Sequence, residues 1–171
     1  MEVNLMGYAG KQLRLKLDKK KAKIEDLNCD ILRDFIGGTG YAVKLLYDEQ
    51  KPGVDALGSE NKLIISSGPL TMSKIPGGGS VFLCFKSPLT GGWGECRSGG
   101  DFGPNMRRAG FDHIIIEGKA EEPIYVVIQD DKVDFRPAKH LLGKTVSEKH
   151  RIIEKELPTG RFSIGCIGPG G

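Results

Sequence analysis

Arg97, Ser98, Gly99 and Gly100 stand in a row just ahead of a helix-like stretch near Gly103. Successive backbone N–H groups in such a run can form a nest for an anion. Arg97 adds a planar fork of donors suited to phosphate, and Ser80 and Thr90 offer hydroxyls. Glycine matters because any Cβ would hold a flat ligand away from the backbone. On residue chemistry alone the stretch reads as a site for a phosphorylated cofactor. A run of tight turns without a ligand is an equal rival.

The other reactive residues combine less well. The four cysteines stand at 29, 84, 96 and 166, with no CxxC pair and no histidine at ligand spacing. A metal held by these thiols is not expected, and buried reduced cysteines are the better reading. Cys96 sits beside Arg97, and a neighbouring cation activates a thiol; without a partner His or Cys, a structural role is preferred. LLGKT (141–145) looks like the end of a phosphate-binding loop, yet position 138 holds Ala where that loop needs Gly. His113, His140 and His150 are far apart and read as surface or packing residues. No acid–base or nucleophilic constellation is visible, so no catalytic residue is assigned to this chain.

Something must position the glycine run. The chain has 171 residues, with 39% hydrophobic and 27% charged, which suits one folded domain. Its net charge is +3 without a basic stripe, so nucleic acid is not an expected partner. No apolar run reaches the roughly 20 residues of a membrane span. The N-terminus lacks the apolar core of a signal peptide, so the cytoplasm is the expected location. The 25 glycines are about twice average usage, and ten fall within residues 68–103. That window also holds Leu70, Val81, Phe82, Leu83, Phe85 and Trp93, so it is folded.

Local patterns predict strands at 11–18, 62–69 and 78–88, then three more in HIIIEG, PIYVVIQ and KVDFRPA, with QDDK as a hairpin turn. Helices are expected at 28–38, capped by Asn28 or Asp30, at 39–50, over one or two turns at 103–110, and at 144–157. The last opens with a capping box, Thr145 with Glu148. RFSIGCIGPGG is read as a closing strand. A glycine pair ahead of a helix recurs at 37–38 and 99–100, and a strand ending in Gly-Pro recurs at 68–69 and 168–169. The expected fold is therefore α+β, a single domain of mixed or antiparallel sheets with a few helices and an internally duplicated strand–helix unit, the glycine pairs lying on one side. Ending on glycines straight after a core strand suggests a fragment of a longer chain.

Several stretches, FIGGTGYAVKLLYDE, PGVDALGSENKLIISSGPLT, KSPLTGGWGECRSGGDFGPNMRRAGFDHIIIEGKAEEPIYVVI, KHLLGKTVSE and IGCIGPGG, follow one another across nearly the whole chain. In wording and order they resemble the N-terminal domain of the tungsten-dependent aldehyde:ferredoxin oxidoreductase family. The resemblance implies a base for a tungsten (or molybdenum) bis-pterin whose phosphates share a magnesium ion. Ser98, Gly99 and Gly100 match the family's pterin-contacting run. Arg97 falls where the family commonly has Asn, whose main-chain carbonyl binds magnesium; the carbonyl survives the change. Ser80 falls where the family usually has an Arg that bridges pterin and iron–sulfur cluster, and Arg97 is the candidate replacement for that lost cation.

The same resemblance implies that the 4Fe-4S cluster, its cysteines and the acid–base residues lie beyond residue 171. Residues 1–171 would then be one cofactor-binding domain, inactive alone. The expected partners are the remaining domains of the enzyme or a larger subunit, ferredoxin, an aldehyde substrate and, in a homodimer, a second copy. The alternative reading is a non-catalytic small subunit or a module that binds pterin, another phosphorylated ligand or a partner protein.

Overall fold

Along the first strand, β1 (Lys11–Lys16), Leu13 and Leu15 alternate with Gln12 and Arg14, so the strand buries a different set on each face. The computed structural model describes residues 7–157 and 160–170. β1 sits inside a six-stranded sheet with β2 (Lys21–Asp26), β3 (Leu63–Ser67), β4 (Val81–Lys86), β5 (Trp93–Ser98) and β6 (His113–Glu117). Their order is β2-β1-β6-β3-β4-β5. The β1–β6 pairing is parallel, and the other four are antiparallel.

One face carries α1 (Cys29–Phe35) and α2 (Thr39–Glu49), whose Ile31, Leu32, Tyr41, Leu45 and Leu46 pack against Ile64, Cys84 and Ile115. Asn28 starts α1 by accepting the amides of Asp30 and Ile31. The other face is covered by α3 (Phe102–Arg108) and the hairpin of β7 (Ile124–Gln129) and β8 (Lys132–Pro137). There Met106, Phe111, Val126 and Ile128 meet Leu13, Leu15, Val81 and Ile114. A 3-10 turn (Lys139–Leu141) and α4 (Val146–Glu156) close a small third cluster. Both halves of the Thr145–Glu148 capping box are present.

The fold class is α+β as expected, and three local readings change. Lys21–Asp26, assigned no element from the sequence, is strand β2, and its lysines suit an exposed edge. Trp93–Ser98, where the sequence pattern predicts no strand, is β5, the opposite edge. The expected closing strand is not formed: residues 160–170 carry no strand, because nothing among the described residues pairs with them. The Gly-Pro echo is only half formed: β3 runs into Gly68-Pro69, whereas no strand precedes Gly168-Pro169. The cysteines also depart from expectation. Cys84 is buried and Cys29 half-buried, but Cys96 and Cys166 are exposed.

Candidate functional site

Antiparallel pairing gathers the glycine segments at one end of the large sheet. Ser67 at the end of β3 pairs with Val81 at the start of β4, and Val81 pairs with Ser98 at the end of β5. The amide of Gly38, at the start of α2, donates to Ser67 O at 2.9 Å. Gly37-Gly38, Gly68, Gly77-Gly78-Gly79 and Gly99-Gly100 therefore share that end, as the two glycine pairs were expected to do.

These glycines do different jobs. A Cβ on Gly40 would stand 2.4 Å from Phe35 O, and one on Gly103 would stand 2.7 Å from Gly79 O. Gly94 gives way to the Phe85 ring. These three are demanded by packing. Gly100 has φ +82 and needs glycine for its conformation. Gly99 has neither constraint: its φ is ordinary and an added Cβ would meet nothing within 4 Å. The described residues give no reason for glycine there, whereas a ligand lying on the backbone would.

Around this bare strip stands a group of side chains. Arg97 Nε donates to Ser80 Oγ at 3.0 Å, and Ser80 Oγ donates to Gly77 O at 3.2 Å. The Arg97 guanidinium lies over the Phe82 ring, 5.8 Å from its centre. Phe82 in turn fills the space beside Gly38, where a Cβ would touch the ring at 3.4 Å. Glu95, on the same face of β5 as Arg97, is held elsewhere by Thr39 Oγ1 at 3.0 Å and Trp93 Nε1 at 3.4 Å. Among the described residues no carboxylate lies within ion-pair distance of Arg97.

The backbone of Arg97 is also directed. Ser87 N donates to Gly92 O, in register with the β4–β5 ladder, so the hydrogen-bonded pairs alternate from there. The pair Phe82–Arg97 falls on the other phase. The Arg97 carbonyl thus faces the open edge of β5, available to a ligand or cation.

The end of the sheet is braced from below. Asp112 and Arg107 form a buried ion pair, with Arg107 Nε 2.8 Å from Asp112 Oδ1 but off the line of a hydrogen bond. Asp112 also accepts the amides of Ala9 and Gly10, while Arg107 donates to the carbonyls of Gly7 and Gly68. Burial raises the Asp112 pKa and lowers that of Arg107. Ile36, with φ 66 and ψ −74, sits in a γ-turn closed by Gly37 N to Phe35 O. Tyr8 Oη clamps its carbonyl at 2.7 Å. Beneath them His113 is fully buried, stacked on Tyr41 at 4.1 Å and 2.7 Å from Ser66 Oγ, and burial drives its pKa down to about 3.

Of the residues expected at the site, Ser80, Arg97, Ser98, Gly99 and Gly100 are brought together. Thr90 is not: it lies in the β4–β5 turn, at the far end of a strand about 20 Å long, where it accepts the Gly92 amide. Cys96 is exposed on the opposite face of β5 from Arg97. Sequence reasoning missed Thr39, Phe82 and Glu95, because their contacts span up to 56 positions and no local pattern announces them. The other end of the sheet is a hollow lined by Lys16, Glu49, Lys62 and Glu117, whose charges are mutually paired. Among the described residues no group of three or more His, Cys, Asp or Glu is placed to hold a metal ion. No helix among them is long and apolar enough to cross a membrane.

Residues 12–171 match the family described as aldehyde ferredoxin oxidoreductase, N-terminal domain. The tungsten-containing aldehyde ferredoxin oxidoreductase of Thermococcus kodakarensis is 42% identical over 167 residues, covering 98% of this chain and 28% of that protein. Its counterpart in Pyrococcus furiosus is 41% identical over the same shares. A WOR-like subunit of an aliphatic sulfonate oxidoreductase from Pyrococcus furiosus is 35% identical over 90% of this chain and 25% of that protein. Among solved structures, the active site complex BamBC of benzoyl coenzyme A reductase with 1,5 dienoyl-CoA superposes with a TM-score of 0.86. It is 32% identical and covers 88% of this chain and 23% of that one. The chain thus spans about a quarter of the length of the relatives it matches. It belongs to the family of aldehyde ferredoxin oxidoreductase N-terminal domains.

Proposed function

We propose that residues 1–171 are the cofactor-cradling domain of a tungsten (or molybdenum) bis-pterin oxidoreductase that converts aldehydes to carboxylic acids. The observation that carries this reading is Gly99: an unconstrained glycine beside Gly100, on a bare strip at the end of the sheet. Ser98, Gly99 and Gly100 would hold the pterin, and the outward Arg97 carbonyl would offer an oxygen ligand to its magnesium ion. When bound, the metal centre supplies the redox and oxygen-transfer chemistry. The chain binds and orients; no residue in it is assigned a catalytic step.

The relatives support this division. Proteins named for an aldehyde, an aliphatic sulfonate and benzoyl coenzyme A share this domain, which suits a part that holds the cofactor and leaves substrate choice to the rest. In this reading the 4Fe-4S cluster, the ferredoxin contact and the substrate pocket belong to the other three quarters of the enzyme. The test is elemental and phosphate analysis of the protein captured anaerobically from its own cells. Tungsten or molybdenum with about two pterin phosphates per metal is the expected result. Absence of both metals from intact protein overturns it.

A further inference from the structure

Arg97 is an exposed cation whose surroundings are arranged to keep it free. Glu95, two residues earlier on the same face of β5, would be its natural ion-pair partner. It is turned away by Thr39 Oγ1 and Trp93 Nε1. Of the five guanidinium donors, one is fixed on Ser80 Oγ, and Ser80 is itself anchored on the Gly77 carbonyl. The guanidinium's central carbon stands 5.8 Å from the centre of the Phe82 ring, a second contact on the same side of the fork. The terminal nitrogens pass above the Gly77 turn, where a Cβ would approach Nη2 at 3.9 Å. Among the described residues this guanidinium has a hydrogen-bond partner at Nε and none at either Nη atom, which makes it a two-pronged receptor for a tetrahedral oxyanion.

We propose that Arg97 is the phosphate-recognising side chain of the glycine face and that Ser80 is its positioning residue. This rests on the cofactor reading for the identity of the natural ligand, a phosphate ester, but not for the anion chemistry. Arg97 selects phosphate over neutral groups, and Ser80 fixes the direction of the fork. Holding Nε in advance lowers the ordering cost of binding.

The experiment uses the whole protein in two preparations. In cofactor-free protein, produced without tungstate or molybdate, inorganic phosphate is titrated and followed by phosphorus NMR. Saturable binding that weakens with added salt is expected. Arg97→Gln should weaken it by about tenfold or more, the size of charge-assisted hydrogen bonds. Arg97→Lys should fall between, since it keeps the charge and loses the fork. Ser80→Ala should cost about threefold to tenfold, one neutral hydrogen bond's worth. Ser80→Thr, which keeps the hydroxyl, should restore binding, a rescue that a merely structural role would not produce. Unchanged far- and near-ultraviolet circular dichroism checks that each variant is folded.

Phosphate binding that Arg97→Gln leaves unchanged, or no binding by the wild type, overturns the proposal. The second preparation, loaded protein from its own cells, is analysed for metal and organic phosphate. Metal and pterin present, with phosphate binding indifferent to Arg97, would keep the cradle and remove the fork. Metal and pterin absent, with phosphate binding dependent on Arg97, would keep the fork and remove the cofactor reading.

Discussion

Thr39 Oγ1 donates a 3.0 Å hydrogen bond to Glu95 Oε1, joining the first turn of α2 to the edge strand β5 across 56 residues. Together with the Trp93 Nε1 bond it holds the Glu95 carboxylate away from Arg97. With Glu95 occupied, Arg97 stands alone; with Glu95 released, the two lie two residues apart on one face of an exposed strand.

Thr39→Val should therefore lower phosphate affinity in the cofactor-free protein by about threefold, through competition from the freed carboxylate. Adding Glu95→Gln should bring the affinity back. Equal phosphate titrations for the wild type and Thr39→Val would show that Glu95 does not reach Arg97.

The glycines separate by substitution. Gly99→Ala should leave stability within about 0.5 kcal/mol, because its Cβ meets open space. It should still reduce metal content if a ligand lies on that backbone. Gly103→Ala should cost about 1–3 kcal/mol, since its Cβ would press on Gly79 O and Val81. Urea unfolding and metal analysis on the same two variants read both effects. Full metal retention in Gly99→Ala would remove the reason offered for that glycine.

His113 makes the fold acid-sensitive. Burial holds its folded pKa near 3, against an ordinary value of 6.5. As pH falls the unfolded chain takes up the proton first, so its stability contribution is full above about pH 6.5 and declines from there to about pH 3. The slope from this one group approaches about 1.4 kcal/mol per pH unit within the window. Replacing it by His113→Phe, which can still stack on Tyr41, should flatten the curve by that amount. Denaturant unfolding of both proteins between pH 4 and pH 8 is the measurement, and parallel curves would refute the assignment.

The Arg107–Asp112 pair should behave as a buried brace. Arg107→Met leaves the enclosed Asp112 carboxyl without its cation, and is expected to cost about 3–5 kcal/mol. Its first sign should be faster hydrogen exchange at Ala9 and Gly10, whose amides Asp112 accepts. Exchange that rises uniformly over the sheet, with no excess at those two amides, would mean the pair does not specifically hold the N-terminal segment.

Much of the architecture was legible along the chain because its signals are local. Asn28 ahead of α1, the Thr145–Glu148 box and the QDDK turn each act within four residues, and alternating leucines mark β1 on their own. Both edge strands were not legible. Lys21–Asp26 and Trp93–Ser98 lack a continuous apolar pattern, since an edge strand is partly solvated, and each is a strand only by pairing with its neighbour. Residues 160–170 show the converse, with strand-like composition and no partner among the described residues.

At the site the division is similar. The glycine run, the charge of Arg97, the hydroxyl of Ser80 and membership of the family can all be read along the chain, because these are matters of residue type and order. The tertiary structure alone decided that Ser80 touches Arg97, that Thr90 stands at the wrong end of β5, and that Thr39 holds Glu95 away. The physical reason is distance along the chain. Residue chemistry is carried by one position at a time, whereas the direction of a side chain depends on partners that only strand register and helix placement bring within reach.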